Sequence, residues 1–214
     1  MKEPILIYGA GGLGKEVLSL VRALNNFEPL GFIDDGLRKD TVIKSLKVLG
    51  GLDILNSFQT PVNLVLAIGD SASKSILVKM IDPSRVYFPV LVHPSVILQE
   101  EAAITIGEGS VITAGCILTT DIAIGSHVLI NLNSTIGHDV TIGSFSSIMP
   151  GVNVAGAVKI GDGVLVGSGS NILNGVTVGN FSKIGMGSVV IWDVAADITV
   201  AGVPAREVRS ERDK

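Results

Sequence analysis

The chain of 214 residues contains a single cysteine, Cys116. One thiol excludes an intrachain disulfide and any multi-cysteine zinc site. Aromatic residues are scarce at 4%, and charged residues make up only 17%. Long apolar runs are absent too, although mean hydropathy is +0.55. The runs at 62–68 and 86–98 are short or broken by proline, so no stretch is long enough for a spanning helix. Met1-Lys2-Glu3-Pro4 lacks the apolar core and cleavage site of a signal peptide, which makes the cytoplasm the expected compartment. Positive charge is in deficit: Lys+Arg is 16 against 20 Asp+Glu, a formal charge of −4. That balance argues against a nucleic acid as partner and leaves room for a local phosphate site. With 47% hydrophobic residues the chain is not disordered. Glycine is plentiful, at 26 residues. Many glycines and few aromatics imply tight turns around an aliphatic core.

The organisation changes near residue 90. Residues 1–90 read as strands alternating with helices, the pattern of an α/β domain with a parallel sheet. Ile5-Leu6-Ile7-Tyr8 is a short apolar run that ends at Gly9. A helix follows with Val17, Leu20, Val21 and Leu24 on one face. Further strands are expected at 30–33 and 62–68, the latter followed by a helix capped by Ser71 or Ser73 and reaching Ile81.

Residues 91–214 form the second expected domain, and its signature is a repeat. Every sixth residue from Ile106 to Val190 is aliphatic, 15 positions in all. Four residues after each stands Ser or Val in 12 of 14 cases, the exceptions being Cys116 and Ile122. Three residues after each stands Gly, Asn, Asp or His in 12 of 15 cases. Those types tolerate or favour positive φ. Each hexad therefore supplies a large inward residue, a left-handed corner and a small inward residue. A parallel β-helix of hexapeptides has this signature.

Several residues carry possible chemistry. Gly9-Ala10-Gly11-Gly12-Leu13-Gly14 is a G-x-G-x-x-G between a strand and a helix. Its backbone N–H groups and the helix N-terminus suit a diphosphate, and Asp34 lies about 20 residues on, where an acid can bind a ribose hydroxyl. The 85 or so residues before the repeat have room for one mononucleotide-binding half, which fits a nucleoside-diphosphate sugar better than a dinucleotide. His138 follows the inward Ile136 by two residues, so it sits at a corner and points outward. A neutral imidazole there can accept a proton from an attacking amine or hydroxyl, with Asp139 orienting it. Spacing alone favours a plain surface histidine beside a left-handed Asp. His127 occupies a corner position and reads as a turn residue. His93, before Pro94, reads as structural at the domain junction. The three histidines lack ligand spacing, so no metal is expected. Cys116 falls on an inward small position, which makes it core rather than an acyl-carrying nucleophile.

Taken in order, Ile7–Gly14, Gly31-Phe32-Ile33-Asp34-Asp35, Ala67-Ile68-Gly69, the hexad holding His138-Asp139, and Gly202-Val203-Pro204-Ala205-Arg206 resemble the sialic acid O-acetyltransferase-like (NeuD/PglD-like) sugar acyltransferases. The resemblance implies a left-handed β-helix with three hexads per coil, a homotrimer, and active sites between neighbouring β-helices. It implies acetyl-CoA as co-substrate and a nucleotide-linked amino sugar, or a sugar hydroxyl, as acceptor. It makes His138 the general base with Asp139 beside it. It assigns Gly11, Gly12, Leu13, Asp34, Asp35 and Gly69 to the nucleotide sugar, with Asn131 a further sugar contact. It assigns Ser147, Gly167, Ser168, Gly185 and Met186 to acetyl-CoA, with Arg206 or Lys183 available to its phosphates. Eighteen residues after His138, one coil on, comes Gly156, whose missing side chain would leave space above the imidazole. Two rivals from other classes remain: an NAD(P)-binding oxidoreductase and a non-enzymatic nucleotide-binding trimer.

Overall fold

A computed structural model describes residues 2–208. The N-terminal domain runs β1 (Glu3–Tyr8), α1 (Gly12–Ala23), β2 (Phe27–Ile33), β3 (Val42–Ile43), β4 (Leu46–Gly50), β5 (Val62–Leu66), α2 (Ser71–Met80) and β6 (Val86–Tyr87). The sheet order is β3-β4-β2-β1-β5-β6, parallel except for the β3–β4 hairpin. The apolar run of β1 is buried on both faces, as a central parallel strand requires. Asp70, rather than Ser71 or Ser73, caps α2, because its carboxylate accepts from both the Ser73 N–H (2.8 Å) and the Ser73 hydroxyl (2.6 Å). The β3–β4 hairpin and a 3-10 turn at Leu52–Ser57 occupy a stretch that carried no sequence signal.

From Leu91 onward the chain coils. Three parallel sheets form the faces of a prism. The first face stacks the pairs Leu91–Val92, Val111–Ile112, Leu129–Ile130, Ser147–Ile148, Leu165–Val166 and Lys183–Ile184, and closes on Thr199–Ala201. The second runs from Ile97–Leu98 to Val189–Val190, and the third from Ile104–Ile106 to Thr177–Val178. Register advances by eighteen residues per coil, pairing Ile112 with Ile130, Ile130 with Ile148, Ile148 with Val166 and Val166 with Ile184. Like therefore stacks on like, and one aliphatic cluster fills the prism. The hexad register begins at Ile106 for a local reason. A 3-10 turn at Glu101–Ala103 lengthens the first coil, so Leu98 pairs with Leu118, twenty residues on. The last coil is short: Ile184 pairs with Val200, sixteen residues on.

Every corner position from 109 to 187 has positive φ, including Phe145 (63°), Ala157 (58°) and Phe181 (57°), the residues outside the Gly/Asn/Asp/His set. Inward serines bond the corners of successive coils. Ser146 donates to the Gly161 carbonyl at 2.8 Å and accepts from the Val164 N–H at 2.9 Å, and Ser110 does the same with Gly125 and Val128. Where both hydrogen-bonding roles are met in this way a small polar residue is tolerated in the core; Ser182 is the exception, its buried hydroxyl having no partner among the described residues.

The N-terminal domain docks on the first face. Val111 and Leu129, which point outward from that face, are 3% and 4% exposed and share one apolar cluster with Val17, Leu18 and Phe32. Lys74 of α2 is buried in the same contact. Its ammonium donates to the His127 carbonyl (2.9 Å), the Ser146 carbonyl (3.3 Å) and Ser147 Oγ (3.0 Å). Burial pushes this amine down to about 7, opposed by Asp70, while three acceptors match the three protons of its charged form.

Two stability predictions follow from this packing. Ile148→Ala removes a fully buried rung and should cost about 2–5 kcal/mol in denaturant unfolding. The outward-facing Thr141→Ala should stay within about 0.5 kcal/mol of wild type. Lys74→Met leaves the buried His127 carbonyl unpaired and should cost about 1–3 kcal/mol, whereas Lys79→Met on the same helix should not register.

Candidate active site

The first cluster of candidate residues lies at the carboxyl ends of β1, β2 and β5. The three glycines of the loop have separate duties. Gly9 takes φ of 99°, which lets the strand turn away. Gly14 allows α1 to lie against the Gly9 carbonyl, where a Cβ would overlap it. Gly11 is exposed, and nothing lies within 4 Å of where its Cβ would be. Gly12 and Gly69 are equally open. Backbone amides at the start of α1 are therefore accessible to an anion. Asp34 holds the loop in place: it accepts from the Ala10 and Gly36 N–H groups, both at 2.9 Å. Asp35 accepts from the Leu52 N–H (2.8 Å) and the Tyr8 hydroxyl. Burial, reinforced by the bond to Asp35, pushes the Tyr8 phenol well up, so it stays a donor. Tyr8, Asp35, Ile68, Ser73, Ile76, Leu77 and Met80 line a cleft of about 270 Å³. Its mouth is apolar: Ile76 is 60% and Met80 66% exposed. Leu13, half-buried, packs against the domain core.

The second cluster is at the corner between the second and third faces. His138 Nδ1 and Asp139 Oδ2 are 2.7 Å apart, and both side chains are open to solvent. Asp139 reaches that position from a left-handed corner with φ of 58°. A carboxylate at Nδ1 holds that nitrogen protonated, which leaves the Nε2 lone pair free. The imidazole extends over Gly156, one coil on. A Cβ at Gly156 would overlap Nε2 and Cε1, so this glycine makes the space that the ring occupies. The Gly156 N–H has no acceptor among the described residues and lies in the same turn.

The third cluster borders the second face on its other side. Gly167, Ser168, Gly185 and Met186 stack at the corner between the first and second faces, and Met186 is 79% exposed. Between this corner and that of His138 runs a groove of about 320 Å³ along the second face, lined by Thr135, Asn153, Asn171, Leu173, Val189 and neighbours. Thr135 donates to Asn153, which donates to Asn171, so a ladder of polar side chains floors it.

Two expectations fail. Ser147 has no exposed surface and its hydroxyl is bonded by Lys74, so it has no atom to offer acetyl-CoA. Asn131 is 4% exposed, and its carbonyl oxygen accepts from Thr113 (3.1 Å) and the Leu132 N–H (2.8 Å). It caps its own corner and is no open sugar contact. His93 bonds the Ser95 hydroxyl locally and does not bridge the domains. His127 is the expected turn residue, with φ of 56°, and its ring is stacked on Phe145 and edge-on to Phe88. Burial, with Lys74 nearby, lowers its pKa to about 4 and keeps it neutral. Cys116 is fully buried in the prism. No His/Cys/Asp/Glu group suited to a metal occurs among the described residues. None of the described helices is long and apolar enough to cross a membrane. Sequence reasoning missed Lys74 because a lysine on an amphipathic helix carries no signal that it is buried.

Comparisons with known proteins agree with this geometry. The PglD N-terminal domain model matches residues 4–81. Bacterial transferase hexapeptide repeats match 157–191, and the hexapeptide repeat of succinyl-transferase matches 95–120. No curated protein matches the chain. Among solved structures, WeeI from Acinetobacter baumannii is 33% identical, with a TM-score of 0.87 over 97% of this chain and 100% of its own. The acetyltransferase domain of PglB from Neisseria gonorrhoeae, in complex with acetyl coenzyme A, is 27% identical, with a TM-score of 0.89 over 97% and 100%. A histidine-to-asparagine mutant of perosamine N-acetyltransferase from Caulobacter crescentus, in complex with CoA and GDP-perosamine, is 25% identical, with a TM-score of 0.89 over 97% of each chain. With a PglD-type α/β domain followed by a left-handed β-helix of hexapeptide repeats, this chain belongs to the NeuD/PglD-like sugar acyltransferase family.

Proposed function

We propose that the protein is an acetyl-CoA-dependent N-acetyltransferase of a nucleotide-linked amino sugar. In this reading it works as a homotrimer in the cytoplasm and serves surface-glycan biosynthesis. The observation that carries the reading is the His138–Asp139 pair, with Nε2 free above Gly156 at the edge of the second-face groove. The solved relatives that hold CoA with GDP-perosamine, or acetyl-CoA, support the two substrates.

The chemistry is direct transfer. The nucleoside diphosphate takes the α1 N-terminus and its cleft, with Gly11, Gly12 and Gly69 giving close approach and Asp34 and Asp35 shaping the loop. The pantetheine arm takes the second-face groove beside Gly167, Ser168, Gly185 and Met186. The sugar amine attacks the thioester carbonyl, and His138 Nε2 receives the proton that the nitrogen loses. Asp139 stabilises the imidazolium as it forms. The Gly156 N–H is the donor for the oxyanion. Collapse expels the CoA thiolate, which takes the proton back from the imidazolium. The buried Cys116 forms no acyl-enzyme.

Placement supports the trimer. α2 covers the first face, where Lys74 reaches His127 and Ser146. His138 stands at the corner opposite that face. No hydrogen bond joins the cleft of β1, β2 and β5 to His138 among the described residues. A neighbouring copy brings the two halves together.

The test is thiol release from acetyl-CoA with UDP- and GDP-linked 4-amino sugars as acceptors. His138→Ala should lower kcat by about 10²–10⁴-fold with KM for the acceptor little changed. Gly156→Ala, which pushes on Nε2, should cost at least about tenfold at an unchanged melting temperature. Full turnover by His138→Ala would remove the base from the mechanism.

A further inference from the structure

α2 faces two ways. On one side it gives Ser73, Ile76 and Met80 to the cleft at the carboxyl ends of β1, β2 and β5. On the other it supplies every side-chain hydrogen bond that joins the two domains among the described residues. Ser71 Oγ donates to the Val164 carbonyl at 3.4 Å. Lys74 reaches the two preceding coils: the His127 carbonyl (2.9 Å) on one, the Ser146 carbonyl (3.3 Å) and Ser147 Oγ (3.0 Å) on the next. The helix therefore lies across three successive coils of the first face. Three helical residues rise about 4.5 Å and coils stack about 4.8 Å apart, so Ser71 and Lys74 can meet adjacent coils without strain.

The rest of the contact is apolar. Val111 and Leu129 of the prism share a cluster with Val17, Leu18 and Phe32. Apolar burial is non-directional, so such a surface holds the domains together without fixing how far one has slid along the other. An ammonium with three acceptors is different, because each N–H must point at its own oxygen. Lys74 is only 2% exposed. A charge buried to that degree carries a desolvation penalty that an apolar side chain of the same length would not. The best-attested role of such a group is to specify register.

Register decides chemistry here. The cleft belongs to the α/β domain, whereas His138 and the second-face groove belong to the prism. Whatever fixes α2 on the prism therefore fixes where an acceptor in the cleft stands relative to the acyl groove of its own copy and to the partner subunit's His138. A displacement of about 1 Å at reacting atoms costs on the order of a hundredfold in rate. We infer that Lys74 is a positioning residue for acetyl transfer: it sets the register of α2 on the prism and, through α2, the point at which the acceptor amine meets the acyl carbon. Lys74 touches neither substrate, since all three of its donors are spent on the prism. This role rests on the transferase reading above and adds to it a residue outside both binding sites on which turnover depends.

The test separates binding from turnover in the full-length protein. Affinities for UDP, GDP and CoA are measured singly by titration calorimetry. Then kcat is measured at saturating acetyl-CoA and saturating nucleotide-linked 4-amino sugar, at a temperature where each variant is fully folded. Lys74→Met should keep its nucleotide and CoA affinities and lose about tenfold to a hundredfold in kcat. Ser147→Ala removes one acceptor of the ammonium and nothing else, and should lose about threefold in kcat with KM for acetyl-CoA unchanged. A side chain that contacted acetyl-CoA would raise that KM instead. Lys79→Met, exposed on the same helix, should turn over as wild type does. Wild-type kcat in Lys74→Met, or a loss accounted for by weaker nucleotide or CoA binding, overturns the positioning role and leaves the transferase standing. If Lys74→Met does not fold, Ser147→Ala decides, and wild-type kcat in that variant overturns the role. A wild-type protein that transfers no acetyl group overturns both.

Discussion

Three hexads to a coil, eighteen residues per turn, is the constraint on which the rest of the structure depends. Each residue stands under its own equivalent one coil later, so a large side chain stacks on a large one and a corner on a corner. The corners need left-handed backbone, and once it is present the two-residue strands hydrogen-bond without interruption. This geometry explains the composition. Short strands leave room inside for Ile, Leu, Val and Ser but not for rings, so aromatics are confined to the N-terminal domain, the corners and the C-terminal cap. It also sets residues in columns: the His138 ring lies over Gly156.

The two domains are tied by a contact that is partly apolar and partly ionic. Val111 and Leu129 supply buried area, and Lys74 fixes the register with its three donors. α2 carries Lys74 on one side and Ser73, Ile76 and Met80 of the β1–β5 cleft on the other. The helix that lines the cleft is therefore the helix that is pinned to the prism. The cost is that the first face is sealed, which leaves the second and third faces open.

The repeat was legible because its period is independent of distant contacts: inward residues and corners each recur at six. Its irregularities were not. The 3-10 turn at Glu101–Ala103 and the short last coil shift register by two residues, and only the strand pairing reveals this. Phe145 and Phe181 take corner conformations that their residue type does not announce, because the coils on either side impose them. In the site, the glycine loop was readable from its place between a strand and a helix, whereas the His138–Asp139 pair was singled out by the family resemblance and not by its spacing. Ser147 and Asn131 were misread, because position in a hexad tells whether a residue faces in or out but not whether another domain or its own corner has claimed it. Lys74 gave no local signal, since it joins residues that the chain brings together only on folding.

The most direct test of the central claim is the fate of the acetyl group. Wild-type protein is incubated with acetyl-CoA and a panel of nucleotide-linked sugars, and free thiol and acceptor mass are followed together. The account predicts thiol release matched one for one by acetylation of a nucleoside-diphosphate 4-amino sugar, with no acetylation of the protein itself. Nucleotide binding without any thiol release, or turnover that depends on a nicotinamide cofactor, would contradict it.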